Sequence, residues 1–247
     1  MLRFFRLIRR KLIEEQKVRQ YIYYAIGEIL LVMVGILLAL QVNNWNEERK
    51  LQAQEEQKIN TLHKEFEANL EELKYDLTRI DTQLVSLRTL FDLFGETDLP
   101  AEEKIDSLIL RSFGHITWNP SSYMLNDLKN SGQISNLSNP ELQSLLFKWE
   151  RHYENLLEFT DDDYQVSKVF LEYLRKQASL RNIDHTEPIP GKGDWERSTL
   201  GFNNSTLLNE LEFENIVDDK LAVVLGLRDQ YQKSEVIINE LLKLTGQ

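Results

Sequence analysis

Four histidines, His63, His115, His152 and His185, are the side chains best suited to acid-base or metal chemistry, and they are scattered over different stretches. No two stand at i, i+4 and no H-E-x-x-H step occurs, so a helix-borne zinc pair is not available. Glu150 and Glu154 flank His152 within about one helical turn, which invites a two-metal reading. Bundles of that kind need a Glu-x-x-His step on two helices, and this sequence has none. Asp161, Asp162 and Asp163, with Glu172 beyond them, resemble a calcium loop until its obligatory glycine position is found to be Val166, inside a helical periodicity. The run reads as a solvated acidic face. Pro188 to Trp195 (PIPGKGDW) lacks the order of a phosphate-binding loop and reads as a flexible connection. There is no G-x-S-x-G elbow, and the absence of cysteine excludes disulfides, zinc-thiolate sites and cysteine nucleophiles. No catalytic residue, metal or cofactor is expected, and the chain reads as a non-enzyme.

The one residue whose position asks for a chemical reason is Glu28. It is the single Asp, Glu, His, Lys or Arg side chain in Tyr23 to Val42, YYAIGEILLVMVGILLALQV. A helix of that length rises far enough, at ~1.5 Å per residue, to cover the ~30 Å hydrocarbon core of a bilayer. A transmembrane helix over residues 21–45 is expected. At ~100° per residue Glu28 and Gly35 lie about 20° apart around it, and Ala39 continues the stripe with small-xxx-small spacing. Glu28 either snorkels to the headgroups or supplies a polar bond in a helix-helix contact that Gly35 and Ala39 allow to close. Tyr21, Tyr23 and Tyr24 at one end and Trp45 at the other form the aromatic belts of the two membrane interfaces. A cleaved signal peptide fits less well, because the apolar run is long and Leu38-Ala39-Leu40-Gln41 offers no A-x-A site.

Residues 1–20 place Phe4, Phe5, Ile8 and Leu12 at near-helical spacing among arginines and lysines, a basic amphipathic segment suited to a cytoplasmic membrane surface. Residues 1–28 hold seven basic and three acidic side chains, +4, so the net −11 of the chain leaves −15 for the remainder. That acidity excludes nucleic acid as a partner. With the basic excess wholly before the apolar run, the positive-inside rule puts the N-terminus in the cytoplasm and residues 46–247 outside.

The run YAIGEILLVMVGILLALQVNNWNEERK, Tyr24 to Lys50, preceded by FFRLIRRKL, Phe4 to Leu12, resembles the start of an uncharacterised family of single-span proteins of Gram-negative bacteria. A looser likeness covers Ser122 to Glu154, SYMLNDLKNSGQISNLSNPELQSLL and beyond. The resemblance implies an inner-membrane protein with a periplasmic domain, and it brings no catalytic residue.

Beyond the span, Phe66, Leu70, Leu73, Leu77, Ile80, Leu84, Leu87, Phe91 and Phe94 alternate steps of four and three, a heptad seam of coiled-coil type. No glycine or proline occurs from Glu47 until Gly95, which is expected to stop the helix. A short helix over residues 101–113 follows, then a break at Trp118-Asn119-Pro120 and a brief helix capped by Ser121 or Ser122. Ser138-Asn139-Pro140-Glu141 starts a long helix reaching about Ala178, with either Ser138 or Asn139 as cap. A loop over residues 184–204 and a last helix over residues 206–244 complete the chain. The expected fold is all-α, one N-terminal transmembrane helix followed by an antiparallel extracytoplasmic helical bundle. Two functions fit: a membrane-anchored periplasmic interaction module that associates with itself or another envelope membrane protein, or an accessory ligand-sensing domain working through a partner, since the sequence shows no second span or output domain.

Overall fold

The computed structural model describes residues 18–187 and 195–246. The basic segment read over residues 1–20 therefore lies almost wholly outside the described residues, as do Pro188, Pro190, Gly191 and Gly193 of the expected loop. The described residues form helices α1 (Val18–Leu93), α2 (Glu102–Phe113), α3 (Tyr123–Asn130), α4 (Pro140–Gln177), α5 (Leu180–His185) and α6 (Leu211–Thr245), and no strand. Short 3₁₀ turns occupy Ile134–Asn136 and Asn204–Asn209. Two compact units divide the chain, Met1–Gln57 and Lys58–Gln247.

In the second unit, the buried line along α1 is Leu62, Phe66, Asn69, Leu73, Asp76, Ile80, Gln83, Leu87 and Leu90, a strict alternation of four and three. This is not quite the seam that the apolar residues suggest. Phe66, Leu70, Leu73, Ile80, Leu84 and Leu87 of that seam are buried, but Leu77 is only half-buried and Phe91 is 39% exposed. The centre of the face passes instead through polar residues seven apart. Asn69, at 2% exposure, exchanges two hydrogen bonds with the Ser121 backbone, donating to its carbonyl and accepting from its N–H, both at 2.8 Å. Gln83 donates to the carbonyls of Ser112 and Gly114 at 2.9 and 2.5 Å. Asp76 accepts from Arg79 at 2.8 Å. Polar side chains are tolerated in a buried face only where they meet partners, and here Asn69 and Gln83 meet the non-helical segment 114–122.

That segment is a strap across α1, and it carries Trp118 into the core. Trp118 is 3% exposed and packs edge-on against Trp149 and Tyr231, while Phe66 also packs edge-on against Trp149. The backbone N–H of Trp118 donates to the Tyr231 hydroxyl at 2.8 Å, so the break read at Trp118-Asn119-Pro120 is an anchored element. The cap of α3 also differs from expectation. Ser122 occupies the N-cap position without a side-chain capping bond. Glu65 of α1 caps instead, accepting from the Met124 N–H and the Ser121 hydroxyl, both at 2.8 Å. A carboxylate at a helix start satisfies an orphan donor and the positive end of the dipole, whichever helix supplies it.

The local signal at the start of α4 holds. Asn139 caps α4, accepting from the N–H groups of Glu141 and Leu142 at 2.9 and 3.2 Å with Pro140 at the first position. Ser138 does not fill that role. Gly95, at φ 74°, follows the end of α1 and donates its N–H to the Leu208 carbonyl at 3.1 Å. The region read as a loop over 184–204 and a helix from 206 is built differently. α5 already occupies Leu180–His185, and α6 starts only at Leu211 after the 3₁₀ turn. Buried Asp106 on α2 explains the delay, because it accepts from Asn204 and Arg197, both at 2.6 Å. Asn204 in turn accepts from the Ser179 N–H at 2.7 Å, and Asn182 binds Ser198 and Phe202 backbone atoms. Burial raises the Asp106 carboxyl above the usual carboxylate range, with Asn204 and Arg197 pulling it back.

Candidate functional site

The apolar part of α1 presents itself as a candidate site because none of the described residues covers it. Between Ile22 and Val42 the large apolar side chains stand about half exposed or more, from 48% at Ile26 to 71% at Leu31. The most apolar stretch has a mean hydropathy of 2.4 and no buried residue. Fully burying one Leu, Ile or Val is worth roughly 1.5–3 kcal/mol, so this stretch leaves a large unrealised apolar contribution among the described residues. By length and composition it can cross a membrane.

Glu28, Gly35 and Ala39 all lie on this helix, with Glu28 half-buried and the other two exposed. A methyl group added at Gly35 would meet no described atom within 4 Å, and the same holds at Gly27. Packing among the described residues therefore gives no reason for glycine here, although glycine costs a helix interior about 1 kcal/mol relative to alanine. At the interface positions Tyr23 and Trp45 are 63% and 64% exposed, and Tyr24 is half-buried. The Arg19 guanidinium sits over the Tyr23 ring at 6.0 Å. The Tyr21 side chain lies outside the described residues.

The second unit holds a charged cluster that the sequence does not announce. Asp163, read as part of a solvated acidic run, is 1% exposed and accepts from Lys220 Nζ at 2.5 Å. Lys220 has no exposed surface, and its ammonium also donates to Ser167 Oγ at 2.6 Å. Ser167 donates onward to the Asp163 carbonyl at 2.7 Å. Asp161 and Asp162 remain exposed, so the correction concerns one aspartate of three. The physical reason is its place on α4: Asp163, Ser167, Phe170 and Leu174 share the buried face, and Asp163 meets Lys220 of α6 there. Burial lowers the Lys220 ammonium from its usual value while Asp163 acts to raise it. A lysine beside a serine resembles a nucleophile with its base, but Lys220 is held by a carboxylate inside the core and Ser167 is 8% exposed. The arrangement locks α4 to α6 rather than presenting a nucleophile to substrate.

The histidines are each held by a different neighbour. His63 Nδ1 lies 2.8 Å from Thr245 Oγ1, His152 Nε2 lies 2.8 Å from Ser234 Oγ, and His185 Nδ1 lies 2.7 Å from the Trp195 carbonyl. His115 contacts Thr117 and the edge of the Tyr164 ring. Glu150 pairs with Lys129. Among the described residues no group of three or more His, Cys, Asp or Glu side chains could hold a metal ion.

No curated protein and no solved structure matches the chain. A family model does match, over residues 28–171, which takes in Glu28, Gly35 and Ala39 on α1, the strap, and α4 as far as Asp163 and Ser167. On that match the chain belongs to the family of unknown function DUF6090.

Proposed function

We propose that the chain is a single-span inner-membrane protein of a Gram-negative bacterium, with its N-terminus in the cytoplasm and its helical domain in the periplasm. The domain is an antiparallel bundle acting as a non-enzymatic interaction module. Its association runs through the helix face of Glu28, Gly35 and Ala39, with a second copy of the chain or another envelope membrane protein as partner. The observation that carries this reading is the apolar helix with open space around Gly35, a surface with no occupant among the described residues. The antiparallel arrangement draws support from the pairs Lys148 with Glu240, His152 with Ser234, Asp163 with Lys220 and Tyr173 with Phe213, in which position rises along α4 as it falls along α6. Orientation rests on the charge asymmetry across residues 1–50.

Topology is the test. A reporter active only outside the cytoplasm, fused after Gln247, is expected to be active, and the full-length chain is expected to stay in the membrane fraction. Activity of only a cytoplasmic reporter at that position would reverse the orientation. Release of a soluble form lacking residues 1–42 would replace the anchor with a cleaved signal.

A further inference from the structure

A cleft of about 430 Å³ opens between α4 and α6, and its charge runs against that of the chain. Lys148, Arg151 and Lys233 line it with a single acidic side chain, Asp229. With His152 neutral the lining carries +2 in a protein whose formal charge is −11. Arg151 is exposed and has no acidic partner among the described residues. Lys148 reaches Glu240 only at 3.6 Å, and Lys233 pairs with Asp229, its neighbour one turn earlier on α6, at 2.5 Å. A cavity toward the ends of the same two helices is different, balancing Lys148 and Lys243 against Glu141 and Glu240.

The wall of the cleft is built rather than loose. Ser234 is fully buried, and its hydroxyl lies 2.8 Å from His152 Nε2 and 3.0 Å from the Gln230 carbonyl. That fixes the imidazole against α6. The apolar side is Val236 and Ile237, with the amides of Asn155 and Gln232 beside them. Two net positive charges match a dianion better than a carboxylate. A guanidinium with two ammonium groups is the donor set that phosphate oxygens select.

We propose that this cleft binds a phosphate monoester of a small polyol, its phosphate against Lys148, Arg151 and Lys233, and its hydroxyls toward Asn155, Gln232 and Asp229. A soluble metabolite and a lipid headgroup offer the same chemistry. The site is separate from the Glu28 helix face and would make the domain a receptor as well as a scaffold.

His152 supplies the readout. Burial lowers its imidazole from the ordinary value, the Gln230 carbonyl opposes this, and Lys233 and Lys148 lower it further. Lys148 and Arg151 face it from α4, and Asp229 and Lys233 from α6. An anion that neutralises the two lysines must raise it. The experiment is a titration of the full-length chain in nanodiscs of neutral lipid, with the four histidine rings isotope-labelled and His152 assigned by its loss in His152→Gln. Glycerol 3-phosphate is expected to shift the His152 signal saturably and raise its pKa, while glycerol leaves it unchanged. Arg151→Gln and Lys233→Gln should each weaken binding at least about tenfold, as loss of a charged hydrogen bond does. Asp229→Asn should tighten it, and Lys168→Gln, an exposed change elsewhere on α4, should do nothing. A His152 response on adding phosphatidylinositol 4-phosphate to the nanodiscs, without soluble probe, would assign the site to lipid. The proposal is overturned if neither source moves His152 at up to about 10 mM, beyond the range in which metabolite sites work. It is equally overturned if the response is the same in Arg151→Gln and Lys168→Gln.

Discussion

Lys220→Met should lower the unfolding free energy of the full-length chain by about 3–5 kcal/mol, the loss typical when one partner of a buried ion pair is removed. The methionine fills much of the same volume, so the cost comes from Asp163, left 1% exposed without its counter-charge. Asp163→Leu should cost a similar amount by stranding the ammonium. The double variant Lys220→Met with Asp163→Leu should recover most of the loss, because well-packed apolar residues replace such pairs at little net cost. Ser167→Ala should fall between, at about 1.5–3 kcal/mol, since it removes one charged hydrogen bond and leaves the pair. Denaturant unfolding followed by helical circular dichroism reads all four. If the two single losses simply add in the double variant, the pair is not the coupled lock described above.

Leu73→Asp should unfold the second unit. Leu73 has no exposed surface and sits in the middle of the buried line of α1, so an aspartate there has no water and no partner. An uncompensated buried charge belongs among the few single changes that exceed about 4 kcal/mol. Leu77, which the apolar spacing nominates equally, is half-buried, and Leu77→Asp should cost clearly less. Limited proteolysis separates the two: Leu73→Asp should lose its resistant fragment and Leu77→Asp should retain one. A Leu73→Asp chain that stays folded but dissociates from a larger species would place this face between chains.

The contrast between Leu73 and Leu77 shows how far the sequence was legible. Apolar spacing found the right helix and much of its buried face, since Phe66, Leu70, Leu73, Ile80, Leu84 and Leu87 are all buried. It missed the true centre because Asn69, Asp76 and Gln83 stand there, and two of these three are buried by virtue of bonds to residues 112, 114 and 121, far away in sequence. Asn139 was legible because its bonds reach only Glu141 and Leu142. Glu65 was not, because the N–H groups it caps belong to a helix that starts at Tyr123. Asp163 was misread for the same reason, since alone it reads as a surface charge in an acidic run and only folding brings Lys220 to it. The apolar helix needed no partner to be recognised, and its open glycine position is a property of the helix itself.

The central proposal is that the Glu28, Gly35 and Ala39 face of the apolar helix mediates association, and crosslinking of the full-length chain in its own membrane tests it most directly. Leucine at position 35 fills the space through which two backbones would approach, so Gly35→Leu should abolish the crosslinked species. Glu28→Leu should weaken it, by about 1 kcal/mol for a lost interhelical polar bond, while Glu28→Gln keeps a donor and acceptor and should largely preserve it. All three chains should still insert, which membrane fractionation checks in the same samples. If Gly35→Leu and Glu28→Leu both leave every crosslinked species unchanged, the helix is only an anchor and the central claim is wrong.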